Sequence, residues 1–289
     1  MPKRKESALA QEEHSSSTSL DSRVESLKKI LKANKDVFGK TPYYLHSGHY
    51  GLDYIMSGRV EGGGYPGGKV VEVFGPRSTG KTLLLIYAVK NMQKEGGIVI
   101  VADVERRWKR DFAEHHGVDW DNLIGWSPNT VEAFTTQTMD ALEELPDDGK
   151  VLICLDSLAS LTTIWELESQ ATKEDQGKKA KRIHASMRVL PELLSQKGAI
   201  LLVANHTIEK PNVMFGPNYG TSGGNAVPFQ ASVRIELFRP RDKTIEGKER
   251  PLGVTLNVFC DKNSETAPFG RTKMDMLWVK GIDPYSGLV

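Results

Sequence analysis

The fold of this 289-residue chain is decided by the stretch GPRSTGKT, which comprises Gly75, Pro76, Arg77, Ser78, Thr79, Gly80, Lys81 and Thr82. It matches the phosphate-loop pattern G-x-x-x-x-G-K-[ST] in full. In such a loop, backbone N–H groups close around phosphate oxygens at the N-terminus of a helix. The lysine then reaches the β and γ phosphates, and Thr82 offers a hydroxyl group to Mg²⁺. The sequence therefore predicts a site for ATP and Mg²⁺.

Apolar strands alternate with helical patterns on both sides of this loop, which is typical of a parallel sheet covered on both faces. After about Ser232 the pattern changes to consecutive strands, which predict an antiparallel extension of the sheet. The first group of strands is predicted at Lys69–Phe74, Ile98–Ala102, Val151–Leu155 and Ala199–Ala204, and the later group at Val233–Phe238, Gly253–Phe259 and Met274–Val279. Helices are predicted at Thr82–Lys94, Trp108–His116, Val131–Leu145 and Lys178–Gln196.

Polar side chains follow three of the predicted strands, at the sheet edge where ligands bind. Asp156 ends an apolar strand and is the expected carboxylate partner of Mg²⁺. Glu105 is either a base that takes a proton from the attacking water or a carboxylate that favours a helix N-terminus. His206 either touches the γ-phosphate or is a hydrogen-bonded loop histidine.

Composition excludes some classes of protein. Lys plus Arg total 38 and Asp plus Glu total 37, so the chain is neither grossly basic nor an acidic solvating polymer. A local basic patch remains compatible with that balance. No apolar run has the roughly 18 residues of a membrane span, and the N-terminus lacks a secretory signal. A cytoplasmic protein is the expectation, and the thiols of Cys154 and Cys260 are expected to be buried.

The chain divides into three predicted regions. Residues 1–21 are polar and predict a disordered tail. Residues 22–46 predict an N-terminal oligomerisation arm, whose helix carries Val24, Leu27 and Ile30 on one apolar face and ends near Lys35. That face packs either on its own core or on a neighbouring subunit. Residues 47–289 predict a single core domain.

Five blocks of sequence resemble the RecA recombinase family. They are GGKVVEVFGPRSTGKT, VADVE, VLICLDSLASL, VMFGPNYGTSGGNAVPFQASVR and DKNSETAPFG, and their order and spacing match from about Ser47 to Asp283. The resemblance implies a RecA-type P-loop ATPase core. The triplet Asn205-His206-Thr207 is most similar to the phage UvsX-like branch, because bacterial members usually have Gln where His206 stands.

The resemblance also implies residue roles. Glu105 falls at the catalytic glutamate, and His206 at the residue that senses the γ-phosphate and signals to a DNA-binding loop. Phe112 and Trp278 fall near adenine, with plain core packing as the alternative. Lys262 falls where the family sends a lysine across the subunit interface onto the γ-phosphate, which would act as an arginine finger does.

Three features depart from the family pattern. Ser264 stands where bacterial members often have a second interface lysine. Arg77 stands where many relatives carry an acidic residue. The small C-terminal domain of bacterial members is expected to be absent after Val289, which puts in doubt any role in regulation or double-stranded DNA capture assigned to it.

Two segments are candidates for DNA binding and match the family's two DNA loops. Trp165–Gly177 leads into a basic run, and Thr207–Val227 is Gly-rich, with about twenty residues expected to lack regular structure. Single strands are held through their backbone by cations and N–H groups. The candidate DNA contacts are Lys178, Lys181, Arg182, Arg188, Lys210, Gly223, Gly224, Asn225 and Arg234.

These features predict a DNA-dependent ATPase that polymerises on single-stranded DNA and exchanges strands with homologous double-stranded DNA. Its expected partners are the two DNAs, further copies of itself in a helical filament, and mediator and single-strand-binding proteins. It is expected in the cytoplasm of a bacterial or phage-infected cell. The alternative is a ring-forming DNA motor of the same fold, such as a helicase or a branch-migration ATPase. A P-loop kinase is a third class, but no stretch of the sequence resembles the lid or the acceptor site of a kinase.

Overall fold

The computed structural model describes residues 20–30, 41–147, 149–169, 176–209, 219–240, 244–247 and 249–288. The chain divides into two compact units, Met1–Lys40 and Thr41–Val289. In the first unit, residues 20–30 form helix α1. Residues 1–19 of the predicted tail lie outside the described residues. The predicted end of the helix near Lys35 lies outside them as well. Because the second unit begins at Thr41, residues 41–46 belong to the core unit rather than to the predicted arm.

The second unit alternates strands and helices along most of its length. Its strands are β1 (Tyr44–Leu45), β2 (Tyr65–Pro66), β3 (Val70–Gly75), β4 (Ile98–Asp103), β5 (Ile124–Trp126), β6 (Val151–Asp156), β7 (Ile200–Glu209), β8 (Tyr219–Thr221), β9 (Val233–Phe238), β10 (Thr244–Ile245), β11 (Gly253–Asn263), β12 (Arg271–Leu277) and β13 (Gly281–Ile282). Its α-helices are α2 (Tyr50–Ser57), α3 (Lys81–Lys94), α4 (Arg110–His115), α5 (Val131–Glu143), α6 (Ile164–Glu168), α7 (Gln176–Lys197) and α8 (Ala226–Gln230).

Within the described residues, eleven of these strands form one sheet in the order β13-β12-β11-β9-β3-β7-β6-β4-β5, with β10 beside β11 and β8 beside β7. All neighbours from β9 to β5 along this order are parallel. The pairs of β11 with β9, β10 and β12 are antiparallel, as is that of β12 with β13. The predicted α/β class, a mostly parallel sheet with an antiparallel C-terminal extension, is confirmed.

Two details of the predicted sheet were wrong. The strand β9 was expected to open the antiparallel extension, but it pairs in parallel with β3, so the antiparallel part begins at β11. The segment Thr207–Val227 was expected to lack regular structure. Instead β7 continues to Glu209 and pairs antiparallel with β8, and α8 begins at Ala226. The ends of this segment are therefore held by backbone hydrogen bonds.

The sheet separates two apolar cores, because alternate residues of a strand face opposite sides. On β6, Leu152 and Cys154 pack on the side that also holds the buried face of α3, while Ile153 faces the side of α5 and α7. The helix α7 runs through Pro191 without interruption and buries Leu194. Both predicted thiols are buried and free. Among the described helices, none is long and apolar enough to cross a membrane.

Candidate nucleotide and DNA site

The phosphate loop joins β3 to α3 and depends on two glycines. Gly75 has φ 155°, and a Cβ atom there would lie 2.3 Å from the carbonyl oxygen of Leu237. Gly80, with φ 79°, is the N-cap of α3 and offers no capping side chain. The first N–H groups of α3 are therefore directed into the loop without a side-chain cap, as anion binding requires. The side chains of Pro76, Arg77 and Ser78 are exposed, whereas Thr79 is buried.

Lys81 lies inside this loop. Its ammonium group donates to the carbonyl oxygens of Gly75 at 3.0 Å and Pro76 at 2.7 Å. Burial lowers the pKa of Lys81 to about 8, although the charges of Asp156 and Glu105 act in the opposite direction. A cation is thus held where the sequence predicted contact with the β and γ phosphates.

Thr82 and Asp156, the residues that the sequence predicts for a Mg²⁺ site, are hydrogen-bonded to each other. The Thr82 hydroxyl donates to Asp156 Oδ2 at 2.8 Å, and the indole Nε1 of Trp108 donates to the same oxygen at 3.1 Å. Burial raises the pKa of Asp156, and these two hydrogen bonds partly oppose the rise. A hydroxyl and a buried carboxylate side by side are the hard oxygen donors that Mg²⁺ prefers, so these residues fit the ion. The contact made by Trp108 was not predicted from the sequence.

Glu105 is held by four donors. Its Oε1 accepts from Ser157 Oγ at 2.6 Å, from Ser160 Oγ at 2.9 Å and from His206 Nε2 at 3.1 Å. Its Oε2 lies 2.9 Å from Arg107 Nε. Burial raises the pKa of Glu105, but the three hydrogen bonds and the arginine charge outweigh it and lower the pKa to about 2. Glu105 is therefore an ionised carboxylate, and the sequence revealed none of its partners except the general position of His206.

These groups converge because neighbouring parallel strands end at one edge. Lys81 follows β3, Glu105 follows β4, Asp156 ends β6, and His206 lies on β7 opposite Gly75. The sequence predicted His206 just after a strand; the structure places it within one, because β7 is longer than its parallel neighbours β3 and β6.

A buried polar network lies next to His206. The side-chain amide of Asn205 donates to Glu72 Oε1 at 2.8 Å and to the carbonyl oxygen of Ser222 at 3.0 Å, and its oxygen accepts from the N–H of His206 at 2.9 Å. Asn205 and Glu72 are fully buried. Asn205 thus connects this edge of the sheet to the turn after β8, within the second candidate DNA segment.

Arg234 belongs to the same network rather than to an open DNA surface. Its Nε donates to Glu72 Oε2 at 2.6 Å, and its Nη1 pairs with Asp261. Only 11% of its side chain is exposed. The predicted phosphate contact by Arg234 is corrected accordingly, because a buried carboxylate and a neighbouring one already occupy its guanidinium group.

The two aromatic residues expected near adenine are on the surface. Phe112 is exposed and meets the ring of His116 edge-on, at 4.6 Å between ring centroids. Trp278 follows the end of β12 and is also exposed. The alternative of core packing does not hold for either residue. His115 Nε2 donates to the carbonyl oxygen of Val279 at 2.8 Å, which brings α4 to the end of β12.

Lys262 lies on β11 and is tied to its own chain. Its ammonium group donates to the carbonyl oxygens of Pro228 at 3.0 Å and Phe229 at 2.6 Å, at the last turn of α8. Burial lowers the pKa of Lys262, and the charge of Arg234 adds to this effect. Its expected contact with a neighbouring subunit's phosphate is a proposal that these contacts do not test.

The first candidate DNA segment is partly helical. Trp165, expected to begin a loop, lies in α6, and α7 begins at Gln176, while residues 170–175 lie outside the described part. The Lys178 ammonium group lies 3.3 Å from the centroid of the Trp165 ring. Lys181, Arg182 and Arg188 are exposed on α7, and Arg182 Nε lies 3.2 Å from Glu132 Oε1.

The second candidate segment approaches the first. Gly223 and Gly224 have φ 91° and 67°, and Cβ atoms there would lie 2.8 Å from Ile183 Cδ1 and 3.5 Å from Ala180 Cβ. The glycine turn therefore packs on the first turns of α7, beside its basic residues. Asn225 is exposed at the N-cap of α8. Lys210 lies outside the described residues.

Comparison with known proteins agrees with this geometry. The chain matches the family model of the RecA N-terminal domain over residues 30–283. Protein RecA of Porphyromonas gingivalis is 33% identical over 239 residues, which cover 82% of this chain and 67% of that protein. Protein RecA of Treponema denticola is 33% identical over 228 residues (78% and 54%), and that of Streptomyces coelicolor 36% over 228 residues (78% and 59%).

The chain thus spans between about half and two thirds of the length of these relatives. All three are bacterial proteins, so they do not support the phage UvsX-like branch, and they do not favour a ring-forming motor. Together, the family match and these identities show that the chain belongs to the RecA family.

Proposed function

We propose that the protein is an ATP-dependent recombinase that polymerises on single-stranded DNA and exchanges strands with homologous double-stranded DNA. One observation carries the proposal: Lys81, Glu105, Asp156 and His206 converge at one sheet edge, and the neighbouring Asn205 ties that edge to the second DNA segment. Hydrogen bonds within the protein thereby link the edge proposed to bind nucleotide to the segment proposed to contact DNA. A ring-forming motor has no comparable support.

The residues divide the work of ATP hydrolysis. The P-loop backbone and Lys81 bind the phosphates. Thr82 and Asp156 would hold Mg²⁺, which would supply positive charge beside the transferred phosphoryl group. Glu105 orients the attacking water and accepts its proton. His206 contacts Glu105 and lies on β7, the strand that also forms the hairpin with β8. Its position therefore depends on both the nucleotide site and the second DNA segment. Phe112 and Trp278 flank adenine, and Lys262 acts across the subunit interface.

DNA is bound by local positive charge in a chain whose net charge is only +1. The proposed surface comprises the exposed cations of α7 and the turn Gly223–Asn225, and Lys210 stays a candidate from the sequence alone. It holds the strand backbone, and base pairing reads homology. The N-terminal helix is an oligomerisation arm. Mediator and single-strand-binding proteins are partners, and the site of action is the cytoplasm.

The proposal is tested by phosphate release from ATP with and without single-stranded DNA. We expect DNA to stimulate the rate, and negative-stain imaging with a slowly hydrolysed ATP analogue to show helical filaments. Glu105→Gln should lower kcat by about 10²-fold or more while ATP binding and filaments persist. The surface variant Glu114→Gln is the matched control and should keep the wild-type rate. Equal rates with and without DNA, or closed rings in the images, would reject the proposal.

A further inference from the structure

Arg107 and Trp108 lie shortly after Glu105 in the sequence, and each contacts one of the two carboxylates of the site. Arg107 Nε lies 2.9 Å from Glu105 Oε2, and Trp108 Nε1 donates to Asp156 Oδ2 at 3.1 Å. The backbone is bent to bring them there, since Arg106 has φ 53°. The Asp103 carboxylate fixes the bend by accepting the N–H groups of Arg107 and Trp108, each at 3.0 Å.

The two oxygens of Glu105 are held unequally. Three donors hold Oε1: the hydroxyl groups of Ser157 and Ser160 and the ring of His206. In the described part of the chain, the contact to Oε2 comes from Arg107. Breaking one contact therefore releases Oε2, whereas releasing Oε1 requires breaking three. A base that takes a proton from water needs one free oxygen within hydrogen-bonding reach.

We propose that Arg107 is a positioning residue that holds Glu105 in a resting arrangement, and that its departure from Oε2 frees this oxygen to accept the proton of the attacking water. The proposal rests on the proposed function, since it assigns Glu105 the role of base. Arg107 acts through Glu105 and does not itself need to touch ATP.

The surroundings of Arg107 suit a contact that breaks. Its side chain is 63% exposed, whereas that of Glu105 is 10% exposed, so the arginine approaches the carboxylate from the solvent side and can move back into water when the contact breaks. Its charge also reaches Lys81: after burial, which is the larger cause, Arg107 helps to lower the pKa of that lysine. A phosphate group bound at Lys81 therefore lies within the electrostatic field of Arg107.

The test compares Arg107→Ala and Arg107→Lys with the wild-type full chain. Without DNA, we expect Arg107→Ala to raise kcat for ATP hydrolysis about threefold to fivefold, the equivalent of one weak ion pair. The KM for ATP should stay within about twofold, because the phosphate-binding residues are unchanged. The ratio of DNA-stimulated to DNA-free rates should fall, and Arg107→Lys should restore much of it by keeping the charge.

Two further variants make the result specific. Arg110→Ala removes a neighbouring arginine that pairs with Glu114 and Asp121, away from Glu105, and should leave both rates unchanged. Glu105→Gln combined with Arg107→Ala should show no gain over Glu105→Gln alone, because the effect acts through Glu105. If Arg107→Ala misfolds, as judged by thermal unfolding and nucleotide binding, Arg107→Gln takes its place.

A DNA-free kcat that is unchanged or lower in the Arg107 variants would overturn the proposal, and so would an equal gain in Arg110→Ala. Failure of the proposed function has a different signature. In that case the wild-type rate does not respond to DNA at all, whereas the DNA-free comparison of the variants still reports on Arg107.

Discussion

The ammonium group of Lys81 sits on two carbonyl oxygens of the phosphate loop, and burial lowers its pKa to about 8. Before nucleotide binds, the charged fraction of Lys81 therefore falls as the pH rises through this value. Phosphate oxygens attract the charged form, so binding at higher pH must take up a proton, and affinity weakens.

We accordingly expect the Kd for ATP, measured with Mg²⁺ by titration with a fluorescent analogue, to rise between about pH 7.5 and about pH 9.5. Linkage limits the rise to about tenfold per pH unit above the pKa. Lys81→Arg should bind with little dependence on pH over this range, because a guanidinium group stays charged. The same rise in that variant would show that another group is responsible.

The sequence predicts single residues well where a strand end fixes them. Asp156 and Glu105 follow apolar strands, so the edge of the sheet determines their place. Arg107 and Trp108 could not be assigned, because their contacts depend on the left-handed backbone at Arg106. The misassignment of Arg234 has a related cause: its carboxylate partners Glu72 and Asp261 are far away in sequence.

Among the elements, β7 carries the connection between the two sites, and Asn205 is the residue that makes it. Asn205→Ala removes the partner of the buried Glu72 and of the Ser222 carbonyl group. Unsatisfied buried polar groups are costly, so we expect the free energy of unfolding in urea to fall by about 1–3 kcal/mol. Asn122→Ala removes an exposed side chain that is hydrogen-bonded to Asp119 and should change the free energy of unfolding by less than about 0.5 kcal/mol. An equal loss in both variants would show that the buried network contributes no more to stability than an exposed hydrogen bond does.

The longer apolar strands and amphipathic helices were predictable because burial imposes their periodicity. The strand β9 was predicted, but its parallel pairing was not, since alternation shows that a strand exists and not which neighbour it joins. The short strands β1, β2, β10 and β13 have two residues each, too few for a pattern. The hairpin of β7 with β8 was missed because glycine-rich sequence reads as a loop.

For the whole molecule, the open question is assembly. The helix α1 exposes Leu27 and Ile30. If this face packs on a neighbouring copy, Leu27→Asp with Ile30→Asp should prevent filaments on single-stranded DNA in negative-stain images. Thermal unfolding of the core unit should be unchanged, because that unit has its own apolar cores. Lys29→Ser is the matched control on the same helix, and unaltered filaments in the double variant would contradict the arm proposal.

The length of β7 has a mechanical consequence. It pairs with β3 as far as His206 and then continues through Thr207 to Glu209, about 10 Å beyond the end of that neighbour. Because β8 stiffens the projecting part, it has the geometry of a lever whose pivot is His206, the histidine that contacts Glu105. A tilt of this lever, too small to disturb the sheet, would be magnified at its tip, where the glycine-rich segment begins.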